Sequence, residues 1–264
     1  MTEILSLRSK IEQSPMGAYQ WMIVVMAAIM NLLDGFDVLA LAFTATAIRG
    51  EFGLTGIELG YLLSAGLFGM TAGSLFLAPL ADKIGRRPLL LMAVSLSAIG
   101  MLGSAFISQY QWLGFWRVIT GLGVGGILVG TNVITSEYSS RKWRSFAISV
   151  YAAGFGIGAV LGGMFAVMLQ GEYGWRSVFL AGAILTGLLL VVLFIWLPES
   201  IDFLTSKQPK NAEVRLNLIA KKIGLAGDWK LPAKVEKVKS KLPISQLFSE
   251  KYLHSTLLIW TAFF

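Results

Sequence analysis

Asp34 and Asp37 stand three residues apart in Asp34-Gly35-Phe36-Asp37, inside an otherwise apolar stretch. On a helix that spacing puts both carboxylates on one face. Two nearby carboxylates in a low-dielectric surrounding resist double ionisation. The chemistry this suggests is a pair that takes up and releases a proton. Arg117, in Arg117-Val118-Ile119-Thr120-Gly121, is the third ionisable group deep in an apolar run. It reads in one of two ways. It is a fixed cation that attracts a substrate carboxylate or pairs with Asp34 or Asp37, or it is an interfacial arginine whose head snorkels to lipid headgroups. An ionised group facing lipid costs about 2.5–3.5 kcal/mol on insertion scales, so all three groups are expected to face the bundle interior or a water-filled cavity.

The elements that carry these groups are legible from charge. The 264 residues are 55% hydrophobic and only 14% charged, with a mean hydropathy of +0.69. A soluble domain carries about 25% charged residues, so a disordered chain or an ordinary water-soluble enzyme is excluded. No charge occurs from Leu59 to Ala81, Pro88 to Trp116, Val118 to Ser136, Ser145 to Gly171 or Ser177 to Pro198. About 20 apolar residues as helix cross a bilayer core. The sequence therefore predicts an all-α membrane protein with six spans, at roughly 19–48, 58–81, 88–108, 113–137, 145–169 and 177–197. An Asp34-Gly35 turn would instead split the first span into flanks too short to cross. Residues 1–18 form an N-terminal segment, 19–197 the six-helix bundle, 198–252 a polar connector with a candidate amphipathic helix at 212–223, and 253–264 the start of a seventh span. Twelve residues of helix reach about 18 Å, short of a crossing, so the expectation is a fragment that stops inside a span.

Lys and Arg set the orientation. Arg8 and Lys10, the loop with Lys83, Arg86 and Arg87, the loop with Arg141, Lys142 and Arg144, and eleven basic residues from Lys207 to Lys251 fall on one side of an even-span arrangement. By the positive-inside rule that side is the cytoplasm. A multi-pass protein of the inner (plasma) membrane with a cytoplasmic N-terminus is expected. The net charge of +7 then belongs to these loops and not to nucleic-acid binding. Cysteine is absent, and no nucleophile–base set, metal-ligand cluster or nucleotide loop is visible. No enzyme, cofactor or metal is expected. His254, the single histidine, reads as interfacial. Glycines at i,i+4 spacing (Gly69/Gly73, Gly121/Gly125, Gly126/Gly130 and Gly154/Gly158/Gly162) let helices approach closely in lipid.

The segment from Gly73 to Pro88, ending Leu80-Ala81-Asp82-Lys83-Ile84-Gly85-Arg86-Arg87-Pro88, resembles the signature loop between spans 2 and 3 of the major facilitator superfamily. Arg117 with Gly121, Gly123, Gly125 and Gly126 is similar to the span-4 motif, Gly154 to Gly163 to the span-5 motif, and Leu197-Pro198-Glu199-Ser200 to the signature after span 6. Ala78 stands where the loop motif usually begins with Gly. The resemblance implies the N-terminal half of a twelve-span transporter, two inverted three-helix repeats, with a missing C-terminal half. Asp34-Gly35-Phe36-Asp37, and Glu137-Tyr138 with Arg144, resemble the aromatic acid:proton symporters within that superfamily, although Ser140 replaces a frequent proline.

The resemblance maps the family's functional groups onto Asp34, Asp37, Asp82, Arg117 and Glu137. Asp82, Gly85, Arg86, Arg87, Glu137 and Arg144 would form a breakable conformational latch, with Arg144 or the 2–3 loop as partner of Glu137. The implied function is proton-coupled import by alternating access of an aromatic carboxylate such as benzoate, 4-hydroxybenzoate or protocatechuate. Phe36, Phe43 and Tyr151 are candidates for stacking on the ring. Symport of a sugar or another small organic acid is the alternative, and an uncoupled channel or a non-transporting fragment are the rivals from other classes.

Overall fold

The computed structural model describes residues 7–225, 227, 229–231, 249, 253–255 and 257–258. Among them, α1 spans Leu7–Gln13, α2 Ala18–Phe52, α3 Gly56–Ile84, α4 Arg86–Ala105, α5 Tyr110–Tyr138, α6 Arg144–Tyr173, α7 Arg176–Trp196, α8 Ile201–Lys207 and α9 Ala212–Ile223. Helices α2 to α7 are long and apolar enough to cross a membrane, and they coincide with the six expected spans.

Helix α2 runs unbroken through Asp34-Gly35, so no turn divides it. Gly35 is there for contact: a Cβ would strike the carbonyl of Phe155 on α6. The helix stops where Gly53 adopts a left-handed φ of 62°, a conformation that costs glycine little. Helix α3 opens on a reciprocal cap. Glu58 N donates to Thr55 Oγ1 at 3.3 Å, and Thr55 N donates to Glu58 Oε2 at 2.9 Å. Such a cap satisfies two otherwise orphaned donors.

Two glycine-lined seams organise the bundle. On α3 and α5, Gly69 and Gly73 face the backbone of Val118 and Leu122, while Gly121 and Gly125 face the carbonyls of Gly66 and Met70. On α2 and α6, Gly154 and Gly158 face Ala28 and Leu32. The first helix of each triplet thus packs on the middle helix of the other, the pairing expected of two inverted repeats. Helices α2 and α5 are the most buried of the six, and α3 and α6 the least. The two acids and Arg117 ride on the buried pair.

At the end of the bundle where α7 stops, α1, α8 and α9 form a platform. Leu7 and Ile11, Ile201 and Leu204, and Leu216 and Ile219 join Tyr138 and Leu197 in one buried cluster. Helix α9 has the expected bounds and buries its apolar stripe. The chain divides into two units, Met1–Leu231 and Pro232–Phe264. In the second, Leu253, His254, Ser255, Leu257 and Leu258 are helical and exposed. The rest of the expected seventh span, and most of the connector beyond 231, lie outside the described residues.

Candidate functional site

Arg117 lies seven residues into α5, about 10 Å along the helix. It is only 3% exposed, which settles the choice between snorkelling and interior in favour of the interior. Its guanidinium is held by neutral groups. Nη1 donates to the backbone carbonyl of Asp37 at 3.2 Å, and Nη2 to Thr120 Oγ1 at 2.9 Å and Ser104 Oγ at 3.1 Å. The Phe179 ring lies 4.8 Å from the guanidinium carbon, within cation–π range. The expected ion pair with a carboxylate of Asp34 or Asp37 is not formed. Arg117 reaches Asp37 through its main chain, so its charge sits beside the acid without a direct salt bridge.

Asp34 and Asp37 are each 1% exposed. Ser97 on α4 donates to Asp37 Oδ2 at 2.6 Å. Asp37 Oδ1 and Asp34 Oδ2 are buried with no hydrogen-bond partner, an uncommon condition for buried polar atoms. One turn before Asp34, Asn31 donates to the Tyr151 carbonyl at 2.9 Å and fixes α2 against α6. A crevice between α2, α3 and α5 is lined by Asp37, Arg117, Thr120, Leu41, Leu62 and Val124, among others. One acid and the cation therefore border the same space. Phe36 does not: it is buried against Gly162 and Gly182 as core. Phe43 packs on Gly163. Tyr151 is 7% exposed, with its hydroxyl 3.5 Å from the Leu128 carbonyl.

The expected latch separates into three joints. Asp82 pairs with Arg86 at 2.7 Å, one turn away. Glu199, which charge and spacing alone did not single out, crowns α4: its Oε1 accepts from Arg86 N at 2.8 Å, Arg87 N at 3.0 Å and its own neighbour Ser200 N at 2.9 Å. Gly85 permits this, with φ at 105° and a Cβ position only 2.6 Å from Glu199 Oε2. Arg87 turns to the Phe194 carbonyl, 2.6 Å away.

Glu137 does not pair with Arg144 or with the 2–3 loop. It caps α8 instead, accepting from Ser200 Oγ and Ile201 N, both at 2.9 Å. Free N–H groups at a helix start favour a carboxylate. Arg144 is taken by Glu12 of α1 at 2.6 Å, and this guanidinium holds the Glu12 carboxyl below its usual range. Arg8 of α1 pairs with Asp202 of α8. Among the described residues no group of three or more His, Cys, Asp or Glu side chains is placed to hold a metal ion.

Residues 27–264 match the family model of the Major Facilitator Superfamily. The chain is 34% identical over 260 residues to a gallate transporter of Pseudomonas putida, covering 98% of this chain and 58% of that protein. It is 34% identical over 263 residues to the 4-hydroxybenzoate transporter PcaK of the same organism, with the same coverage. The chain thus spans 58% of the length of these curated relatives. The partially occluded, inward-open xylose transporter XylE from E. coli superposes with a TM-score of 0.68 at 22% identity, over 76% of this chain and 55% of that one.

Proposed function

From the premise that the chain belongs to the Major Facilitator Superfamily, we propose that it forms the N-terminal half of a proton-coupled importer of aromatic carboxylic acids, working by alternating access in the inner membrane with its N-terminus cytoplasmic. The observation that carries the reading is the juxtaposition of Arg117 with Asp37 on one crevice, with the cation hydrogen-bonded only to neutral acceptors. The names of the gallate and 4-hydroxybenzoate transporters support an aromatic acid as cargo.

In this reading Arg117 attracts the substrate carboxylate. Ser104 and Thr120 hold its guanidinium at the crevice while their own hydroxyls remain bonded to Gly100 and Trp116 carbonyls at 2.7 and 3.0 Å. An ionised Asp37 would repel an arriving anion. A proton on its unpartnered Oδ1 removes that repulsion, so proton and anion load together. Asp34, with its own unpartnered oxygen one turn away, is the second proton site. A monoanion moving with one proton carries no net charge across the membrane; a second proton would add about 2.3 kcal/mol of driving force per 100 mV. The joints at Asp82, Glu199 and Glu137 hold the helix ends while the bundle moves. The facing wall of the pathway is assigned to a second half, so the activity is that of the complete transporter.

The test is uptake of radiolabelled 4-hydroxybenzoate by cells carrying the complete transporter, challenged with benzoate, protocatechuate, gallate and xylose. Competition by the aromatic acids and abolition by a protonophore support the reading. Competition by xylose alone, or uptake indifferent to the protonophore, contradicts it.

A further inference from the structure

The end of α7 borders a groove that the transport reading leaves unused. Its walls are the last residues of α7, the start of α2 and the face of α9, and it is lined by Tyr19, Arg87, Trp196, Glu199, Arg215 and Lys222, among others. Three basic side chains line it. Among the described residues, no carboxylate lies within ion-pair distance of Arg87, Arg215 or Lys222. Arg87 Nε is buried without a hydrogen-bond partner, while its Nη2 is anchored to the Phe194 carbonyl. Lys222 stands 5.3 Å over the Tyr19 ring. The one acid in the groove wall, Glu199, already accepts three N–H groups on a single oxygen.

The groove opens beside an apolar flank. Val191, Phe194 and Ile195 of α7 are 58%, 65% and 64% exposed, and Trp196 at the helix end is 54% exposed. On a membrane-crossing helix these residues meet acyl chains, and a terminal tryptophan sits at headgroup level. We propose that this groove binds the phosphate of an anionic phospholipid, with Arg87, Arg215 and Lys222 as its ligands and the lipid's acyl chain lying along Val191 and Ile195. Continuity with that flank favours a lipid over free phosphate, which would gain nothing from the apolar side. Because α9 follows the bundle in sequence, an occupied groove would tie the connector to the membrane surface and to the α4 end at Arg87.

The experiment is native mass spectrometry of the full chain, extracted from vesicles of equal parts phosphatidylglycerol and phosphatidylethanolamine. The chain is expected to retain phosphatidylglycerol preferentially. Arg215→Gln and Lys222→Gln, both at exposed helical positions, are each expected to lower that retention about five-fold. The control variants Lys207→Gln and Lys210→Gln each remove one charge, as the groove variants do, from exposed positions outside the groove and leave retention unchanged. Millimolar inorganic phosphate or glycerol phosphate is not expected to displace the lipid. Equal loss in both pairs of variants, equal retention of the two lipids, or displacement by inorganic phosphate alone would overturn the assignment to an anionic lipid. None of these readouts depends on which solute is transported.

Discussion

The carboxylates of this chain live under two opposite regimes. At the end of the bundle with α1, α8 and α9, Glu137 and Glu199 are almost fully buried, and each is met by backbone N–H groups at a helix start. In the middle of α2, Asp34 and Asp37 are equally buried, yet each keeps an oxygen that no donor reaches. A buried carboxylate surrounded by donors is a rivet, because any change of its state gives up several charge-assisted hydrogen bonds. A buried carboxyl with an open oxygen is far less committed, and a proton or a moving helix can complete it. The contrast separates residues that hold this bundle together from residues that can do work in it.

That contrast makes opposite demands on variants. Arg117→Gln in the complete transporter should be the most severe for activity, with aromatic-acid affinity lowered about 30-fold or more, since losing one member of a desolvated charge interaction costs about 2–5 kcal/mol. Its melting temperature should change little, because Ser104 and Thr120 keep their own carbonyl partners. The measurement is the concentration dependence of uptake beside a thermal unfolding scan.

Glu199→Ala should show the reverse. It strips acceptors from three N–H groups, at about 1.5–3 kcal/mol for a hydrogen bond to a charged group, and thermal unfolding should fall sharply while the substrate affinity of the surviving folded protein is retained. Gly85→Ala acts on the same joint with a smaller loss, about 1–3 kcal/mol, as overpacking does. If Gly85→Ala melts like the parent, the positive φ and the tight seat against Glu199 are not what closes that joint.

The smallest effect belongs to α1. Arg144 holds the Glu12 carboxyl below the usual carboxylate range, so this ion pair contributes fully above that range and is lost as pH falls through the lowered value. With both side chains about one-third exposed, the contribution is under about 1 kcal/mol. Hydrogen exchange of the α1 amides should be unchanged from pH 7 to pH 5 after correction for intrinsic rates, and protection should drop below pH 4. Glu12→Gln should remove that step.

The spans were legible because lipid permits few unpaired charges: charge-free runs place α3 to α7, and α2 follows from an apolar stretch broken only by Asp34 and Asp37. Their ends were less so: α2 continues to Phe52 and α6 to Tyr173, since a helix need not stop where its lipid-facing stretch does. The glycine spacings foretold two of the packing seams. The positions of Asp34, Asp37 and Arg117 were readable as types, but their partners were not. Ser97, Ser104 and Thr120 look like the small polar residues common in spans, and only the fold brings them to the acid and the cation. Glu137 was matched to Arg144 by charge, whereas the structure gives it the start of α8 and gives Arg144 to Glu12, 132 positions earlier. Glu199 was visible within Leu197-Pro198-Glu199-Ser200, yet its partners lie 113 and 112 positions away, beyond any local pattern. Phe36 looked available for stacking because sequence does not reveal that glycines from α6 and α7 close over it.

The central claim is that the buried acids of α2 carry the coupling proton. It is tested most directly by comparing two assays of Asp37→Asn in the complete transporter reconstituted in vesicles: exchange of labelled for unlabelled 4-hydroxybenzoate without a pH gradient, and accumulation driven by one. The account predicts that exchange persists while gradient-driven accumulation is lost. Accumulation equal to that of the parent protein would contradict it.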